Sequence, residues 1–147
     1  MDTRELTQYL HEHIPLSKAM GVEVLTATVA GVKLAAPLAP NINHRDTVFG
    51  GSAVALAILS AWSLLHIRLR AASISSRIVI QKSTMNYERP IIEDFVVSSL
   101  ILDSTSWSKF MNTLERKHRA RISVAAVLHC QGEKVAEFMG EFVALSM

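Results

Sequence analysis

Apolar residues fill one long stretch of the chain, from Ala53 to Leu65, where only two serines interrupt them. A membrane span needs about 20 predominantly apolar residues, and this shorter run is followed by His66 and Arg68. A helix that is apolar on every face must be surrounded by protein. The pattern therefore predicts a long central helix, about residues 50–68, with a sheet wrapped around it.

The flanking segments supply the strands for that sheet. Runs rich in β-branched residues, separated by glycine, proline and polar residues, are typical of strands. Connections between neighbouring runs are mostly too short for parallel crossovers, so we expect a largely antiparallel sheet. The predicted strands are Val22 to Val29, Val32 to Ala36, Arg77 to Glu88, Phe95 to Leu102, Ala120 to Cys130 and Lys134 to Leu145.

Two shorter helices complete the predicted elements. Asp2 and Glu5 have the spacing of a capping box, and the helix they begin should end before Pro15. A second helix is indicated by apolar residues at helical spacing, with Ser104, Thr105 or Ser106 as its cap. Those apolar residues are Trp107, Phe110, Met111 and Leu114.

Length and composition limit the function classes. The chain has 147 residues, 50% of them hydrophobic, and a formal charge of +2, so we expect one α+β domain over residues 1–147. The near-neutral charge favours neither nucleic acid nor a membrane surface as a partner. Cys130 has no second cysteine to pair with, and Met1 to His13 is polar, unlike a signal peptide; both favour the cytoplasm. Six histidines show no metal-ligand spacing, so no metal site is predicted.

A polar loop leads directly into the central helix, and their junction contains Gly50 and Gly51. The N-terminus of a helix presents unpaired amides and about half a positive charge, so Gly51, with Gly50 and Ser52, is a candidate site for polarising a carbonyl oxygen. The alternative is that the glycines only allow close packing of helix and strand.

Three loop residues are candidates for the base or nucleophile that would attack such a carbonyl. Asp46 is the only carboxylate in the loop and can activate water or attack directly. Asn43 can orient a water or the substrate, and His44 can accept a proton near neutral pH. As alternatives, Asp46 is a turn residue bonded to its own backbone and His44 a solvated side chain.

The motif "NHRDTVFGGSAVALAIL" is similar to the loop and helix start of hotdog acyl-thioesterases, and "STMNYERPI" looks like the strand that follows the helix in that fold. With "IPLSKAMGVEV" near the start and "KFMNTLERKHRARISVAAVLHCQGEKVAEFMGEFVAL" near the end, the chain resembles the YiiD C-terminal-domain group of thioesterases almost throughout. The resemblance implies a hotdog fold, in which a curled, largely antiparallel sheet surrounds a long central helix.

The same resemblance implies hydrolysis of acyl-coenzyme A or acyl-carrier-protein thioesters by water. No cofactor is expected beyond the coenzyme A or carrier protein of the substrate. The implied assembly is a homodimer, with a tetramer left open. The expected substrate-binding residues are Thr47, Phe49, Ser83, Asn86, Tyr87, Arg116 and Arg119. The two arginines belong to a basic cluster, Glu115 to Arg121. This cluster either binds the coenzyme A phosphates or is the solvated end of a helix.

The sequence departs from the well-known hotdog enzymes at the positions that carry their chemistry. Where several of them have a histidine before the glycine pair, this chain has Phe49, and their helix acid falls near Ile58. Another branch places its catalytic aspartate at the position of Asn43. The alternative function is therefore a non-catalytic module that binds acyl thioesters as the partner of an acyltransferase.

Overall fold

A computed structural model describes all residues, 1–147. Its helices are α1 (Thr3–His13), α2 (Pro15–Ala19), α3 (Gly50–Ala71) and α4 (Ser104–Lys117), with a short 3₁₀ turn at Ala39–Asn41. Its strands are β1 (Glu23–Ala27), β2 (Val32–Ala36), β3 (Ser76–Tyr87), β4 (Phe95–Leu100), β5 (Arg119–Cys130) and β6 (Glu133–Ser146). Every predicted element is present, and α2 is an addition that the sequence reading missed.

The six strands form one sheet in the order β1-β2-β4-β5-β6-β3, and every neighbouring pair is antiparallel. Alternate residues of β5 are buried, because one face of the sheet packs on α3 while the other faces solvent. Strand β3 pairs only with β6 and is therefore an edge of the sheet. This arrangement is the predicted hotdog architecture.

Helix α3 fills the concave side of the sheet and is the centre of the core. It has 22 residues and ends at Ala71, three positions later than expected. Length and composition alone would allow it to span a membrane, so the sequence argument that it is too short was wrong; 61% of its most apolar window is buried within the protein, as expected of a core helix. Within it, the Ser60 hydroxyl donates to the Val32 carbonyl and the Ser99 hydroxyl to the Ser60 carbonyl, tying helix to sheet.

Of the two predicted helix caps, the one at α1 is confirmed and the one at α4 was wrong. The Asp2 carboxylate accepts a hydrogen bond from the Glu5 amide, as the capping-box spacing predicted. Helix α4 is capped by Asp103, whose carboxylate accepts from the Thr105 amide. The expected cap at Ser104, Thr105 or Ser106 was wrong because all three residues already lie inside the helix.

Candidate active site at the start of the central helix

The first turn of α3 presents free amide donors. The Ser52 and Ala53 amides both donate to the Phe49 carbonyl, whereas the amides of Gly50 and Gly51 donate to no protein group. No side chain caps this end, and the Ser52 hydroxyl bonds to neither amide. Two unpaired N–H groups and the helix dipole together form a site that favours a developing negative charge.

Tyr87, at the end of β3, joins the edge strand to this turn. Its hydroxyl donates a 2.8 Å hydrogen bond to the Gly50 carbonyl, and burial raises the pKa of that hydroxyl. The phenol therefore stays protonated through the neutral range and keeps donating. A Cβ at Gly50 would lie 3.5 Å from the Tyr87 oxygen, in ordinary contact, so Gly50 is not required for this packing.

Gly51, in contrast, cannot carry a side chain unless the neighbouring Phe49 ring moves. A Cβ at this position would lie 2.4 Å from Cε2 of the Phe49 ring. That ring is 58% exposed, so it covers the first turn of α3 from the solvent side and is free to move.

Hydrogen bonds from the Asn41 side chain and between backbone groups hold both ends of the polar loop in place. The Asn41 side chain is buried and donates from Nδ2 to the Met20 and Pro37 carbonyls. The Phe49 amide donates to the Asn41 carbonyl at 2.7 Å, and the Val48 amide donates to the Ile91 carbonyl. This structural role of Asn41 could not be predicted, because Met20, to which its side chain donates, is 21 residues away along the chain.

Asn43 organises the tip of this loop. Its side-chain oxygen accepts from the amides of Arg45 and Thr47, and its Nδ2 donates to the Thr47 hydroxyl at 2.9 Å. These contacts close a tight turn in which Asp46 adopts a left-handed conformation, with φ of 61°. The side chains of Asn43 and Thr47 therefore bond to each other and to the loop, and few of their hydrogen-bonding groups remain available to a substrate.

The two ionisable candidates are exposed on that turn. The Asp46 carboxylate makes no hydrogen bond or ion pair in the protein, although an Asp or Asn is well suited to its left-handed backbone. His44 Nε2 accepts a long, 3.4 Å hydrogen bond from Arg45 Nε. Asp46 thus has the backbone conformation of a turn residue, as the alternative interpretation expected. Its side chain, however, does not bond to its own backbone, so both carboxylate oxygens are without a protein partner.

Strand β3 divides its three candidate residues between two faces. Ser83 pairs with Gly140 and Tyr87 with Ala136, and both partners are buried on the concave face. Asn86 pairs with the exposed Glu137 on the opposite face. Because successive side chains of a strand alternate, the structure does not bring Asn86 to the site.

The basic cluster lies at the far end of the sheet from Gly50. Arg119 and Arg77 both pair with Leu145, whereas Tyr87 is at the other end of β3. A 12-residue strand spans about 35 Å, so Arg119 is remote from the free amides of its own chain. Arg116 lies in the last turn of α4, where a cation complements the helix dipole. No group of three His, Cys, Asp or Glu side chains is arranged to hold a metal.

Comparison with known proteins agrees with this architecture and with the thioesterase class. Residues 3–146 match the family described as "Putative thioesterase (yiiD_Cterm)". A protein of unknown function from Chlorobaculum tepidum is 27% identical, with a TM-score of 0.91 over 99% of this chain and 94% of that one. A Shewanella oneidensis protein named as a putative thioesterase is also 27% identical, with a TM-score of 0.86 over 97% and 96% of the two chains.

A more distant likeness concerns the fold alone. A thioesterase from Haemophilus influenzae is 11% identical and has a TM-score of 0.79, covering 99% of this chain and 92% of that one. Since the family match spans nearly the whole sequence, the chain belongs to the YiiD C-terminal-domain thioesterase family and has the hotdog fold.

Proposed function

We propose that the protein hydrolyses acyl thioesters of coenzyme A or an acyl carrier protein. The observation that carries this proposal is the pair of free amides at Gly50 and Gly51, which begin a 22-residue helix and lie beside a polar loop. An amide donor of this kind is typically worth about 3 to 4 kcal/mol of transition-state stabilisation. The thioester carbonyl oxygen would accept from these amides.

Asp46 is the residue we assign to activation of water. Its carboxylate would take a proton from a water molecule as the water oxygen bonds to the carbonyl carbon. The carbon–sulfur bond then breaks, and the thiolate takes up a proton as it leaves, giving a free acid and a free thiol. The absence of any protein partner for the Asp46 carboxylate leaves both its oxygens available for this step.

A homodimer formed through β3 would complete the site. Strand β3 exposes one unpaired edge together with apolar side chains, including Val79 at 45% and Ile80 at 37% exposure, and such an edge is normally covered by another chain. Two β3 strands related by a two-fold axis run antiparallel. The far end of the second copy's β3 would then lie beside Tyr87.

That pairing would also bring basic residues to the substrate. Within one chain, about 35 Å of strand separates Arg119 from the end of β3 at Tyr87. Across the dimer, Arg119 of the second copy would lie three strand spacings from Tyr87, or about 14 Å. We therefore assign Arg116 and Arg119 to the phosphates of a coenzyme A bound mainly by the other subunit.

The proposed activity is tested by release of free thiol from short, medium, long and aromatic acyl-coenzyme A substrates. Turnover of any of them that is lost in Asp46→Asn supports hydrolysis at this loop. No turnover of any substrate, with acyl-coenzyme A bound nonetheless, would favour the non-catalytic binding module instead. Sedimentation at micromolar concentration tests the dimer: a fully active monomer would contradict it.

A further inference from the structure

A surface groove runs between helix α4 and strand β5. It consists of two adjoining cavities of about 420 and 410 Å³. Thr113 and Arg121 line both cavities, so the groove is continuous from one to the other. Each cavity has the size of a site for a small molecule. We call it the α4–β5 groove.

Four cationic side chains line the α4–β5 groove, two from each side. Lys109 and Lys117 lie about 12 Å apart along α4. Arg119 and Arg121 are alternate residues of β5, so their side chains leave the same face of the sheet. All four are exposed, and none of them forms an ion pair within the protein. Their charges are therefore available to an external anion.

The other groups in the groove limit the kind of anion that fits. Glu141 is the one carboxylate in the lining, so the cations outnumber it four to one. The Thr113 hydroxyl already donates to the Lys109 carbonyl at 2.8 Å. Phe110 and Ile122 are buried in the lining and give it an apolar floor. A row of cations above an apolar floor suits a chain of linked phosphates attached to a ring system.

We propose that the α4–β5 groove binds the polyphosphate chain of a nucleotide, either free or within coenzyme A. Arginine and lysine form charge-assisted hydrogen bonds to phosphate oxygens, and a chain of phosphates can contact several of the four cations at once. Arg119 is shared with the assignment made above for coenzyme A, whereas Lys109 and Arg121 have no role in it. The inference goes beyond the proposed function, because binding a phosphate chain requires neither a thioester nor the amides of Gly50 and Gly51.

Calorimetric titration of the full-length protein with sodium triphosphate tests the groove directly. The parent should bind one triphosphate per chain, with an affinity that falls as salt is added. Arg121→Gln and Lys109→Gln each remove a phosphate contact and should weaken binding by about 10-fold. Glu141→Gln removes the repelling carboxylate and should strengthen binding by about 3-fold. The matched control is Arg4→Gln, which removes one cation from a different cavity beside α1 and should bind as the parent does.

Three results would overturn the proposal. One is the absence of saturable triphosphate binding at low salt. Another is an equal loss of affinity in Arg121→Gln and Arg4→Gln, because nonspecific attraction to a cationic protein predicts that result. The third is weaker binding in Glu141→Gln, since a carboxylate that faces a bound anion must oppose it.

Titrations with ATP and coenzyme A identify the source of the phosphate chain. If coenzyme A displaces triphosphate and is itself bound more weakly by Arg121→Gln, its phosphates occupy the groove. If coenzyme A leaves triphosphate bound while ATP displaces it, the groove is a separate nucleotide site. Asp46→Asn should bind triphosphate as the parent does. Failure of the groove and failure of thioester hydrolysis are therefore measured independently.

Discussion

The two ends of α3 have opposite characters. At its start, Gly50 and Gly51 leave amides unpaired and the adjoining loop exposes its ionisable residues. At its end, His66 stacks on two aromatic rings, and Arg68 lies 4.8 Å over the Trp107 ring while donating to the Val29 carbonyl. Open donors provide binding capacity, whereas tightly packed side chains provide rigidity. Substitutions at the start should therefore alter turnover, and those at the end should alter stability.

The largest effect is expected at Asp46. Asp46→Asn keeps the size of the side chain and its tolerance of a positive φ, but removes the charge, so kcat should fall at least about 100-fold with little change in substrate binding. Steady-state kinetics with the best acyl-coenzyme A substrate measure this. Thermal unfolding should show a nearly unchanged Tm, since the carboxylate makes no bond in the protein.

Matched variants identify the residue if Asp46 is not the base. Asn43→Ala should lower activity together with loop order, because its side chain holds the turn. If Asp46→Asn keeps most of its kcat while His44→Ala abolishes it, the base is His44. If all three variants hydrolyse as well as the parent, the loop has no catalytic role.

A smaller loss is expected from Gly51→Ala. The new methyl group must displace the Phe49 ring, which is exposed and yields easily, so we expect kcat to fall by about 10-fold with a modest change in Tm. The double variant with Phe49→Ala separates two causes. Recovery of activity would indicate that the displaced ring was responsible, and no recovery would indicate that the methyl group itself blocks the amides.

The fold was predictable because its signals are local, while much of the site depends on distant partners. The apolar run to Leu65 and the β-branched segments identified the helix and the strands directly. The glycine pair identified the helix start as the candidate site. Contacts such as that of the Asn41 side chain with the Met20 carbonyl join residues far apart along the chain, and no residue spacing reveals them. Asn86 was grouped with its neighbour Tyr87 although successive side chains of a strand face opposite sides; the sequence did not show which of the two would face the central helix.

At the other end of α3, we expect pH-dependent stability without loss of catalysis. Burial, Arg70 and His13 lower the pKa of His66 below 6.5, and its Nε2 is buried without a partner. The unfolded chain therefore binds a proton more readily than the folded one, so stability should fall as the pH drops below 6.5. His66→Phe keeps the aromatic stack and should reduce this fall in Tm. Identical Tm-against-pH curves for both proteins would contradict the assignment.

The smallest effect is expected for the basic cluster. If Arg116 and Arg119 of one subunit meet the coenzyme A phosphates at the other subunit's site, replacing either with Gln should raise KM a few-fold at low salt and leave kcat nearly unchanged. The reason is that the phosphates are remote from the bond that breaks, and that salt screens exposed charges. Arg4→Gln, which removes the same charge from exposed α1, is the matched control and should have no effect. Equal KM values for parent and variants, at both low and high salt, would remove the cluster from the substrate site and leave it as the solvated end of α4.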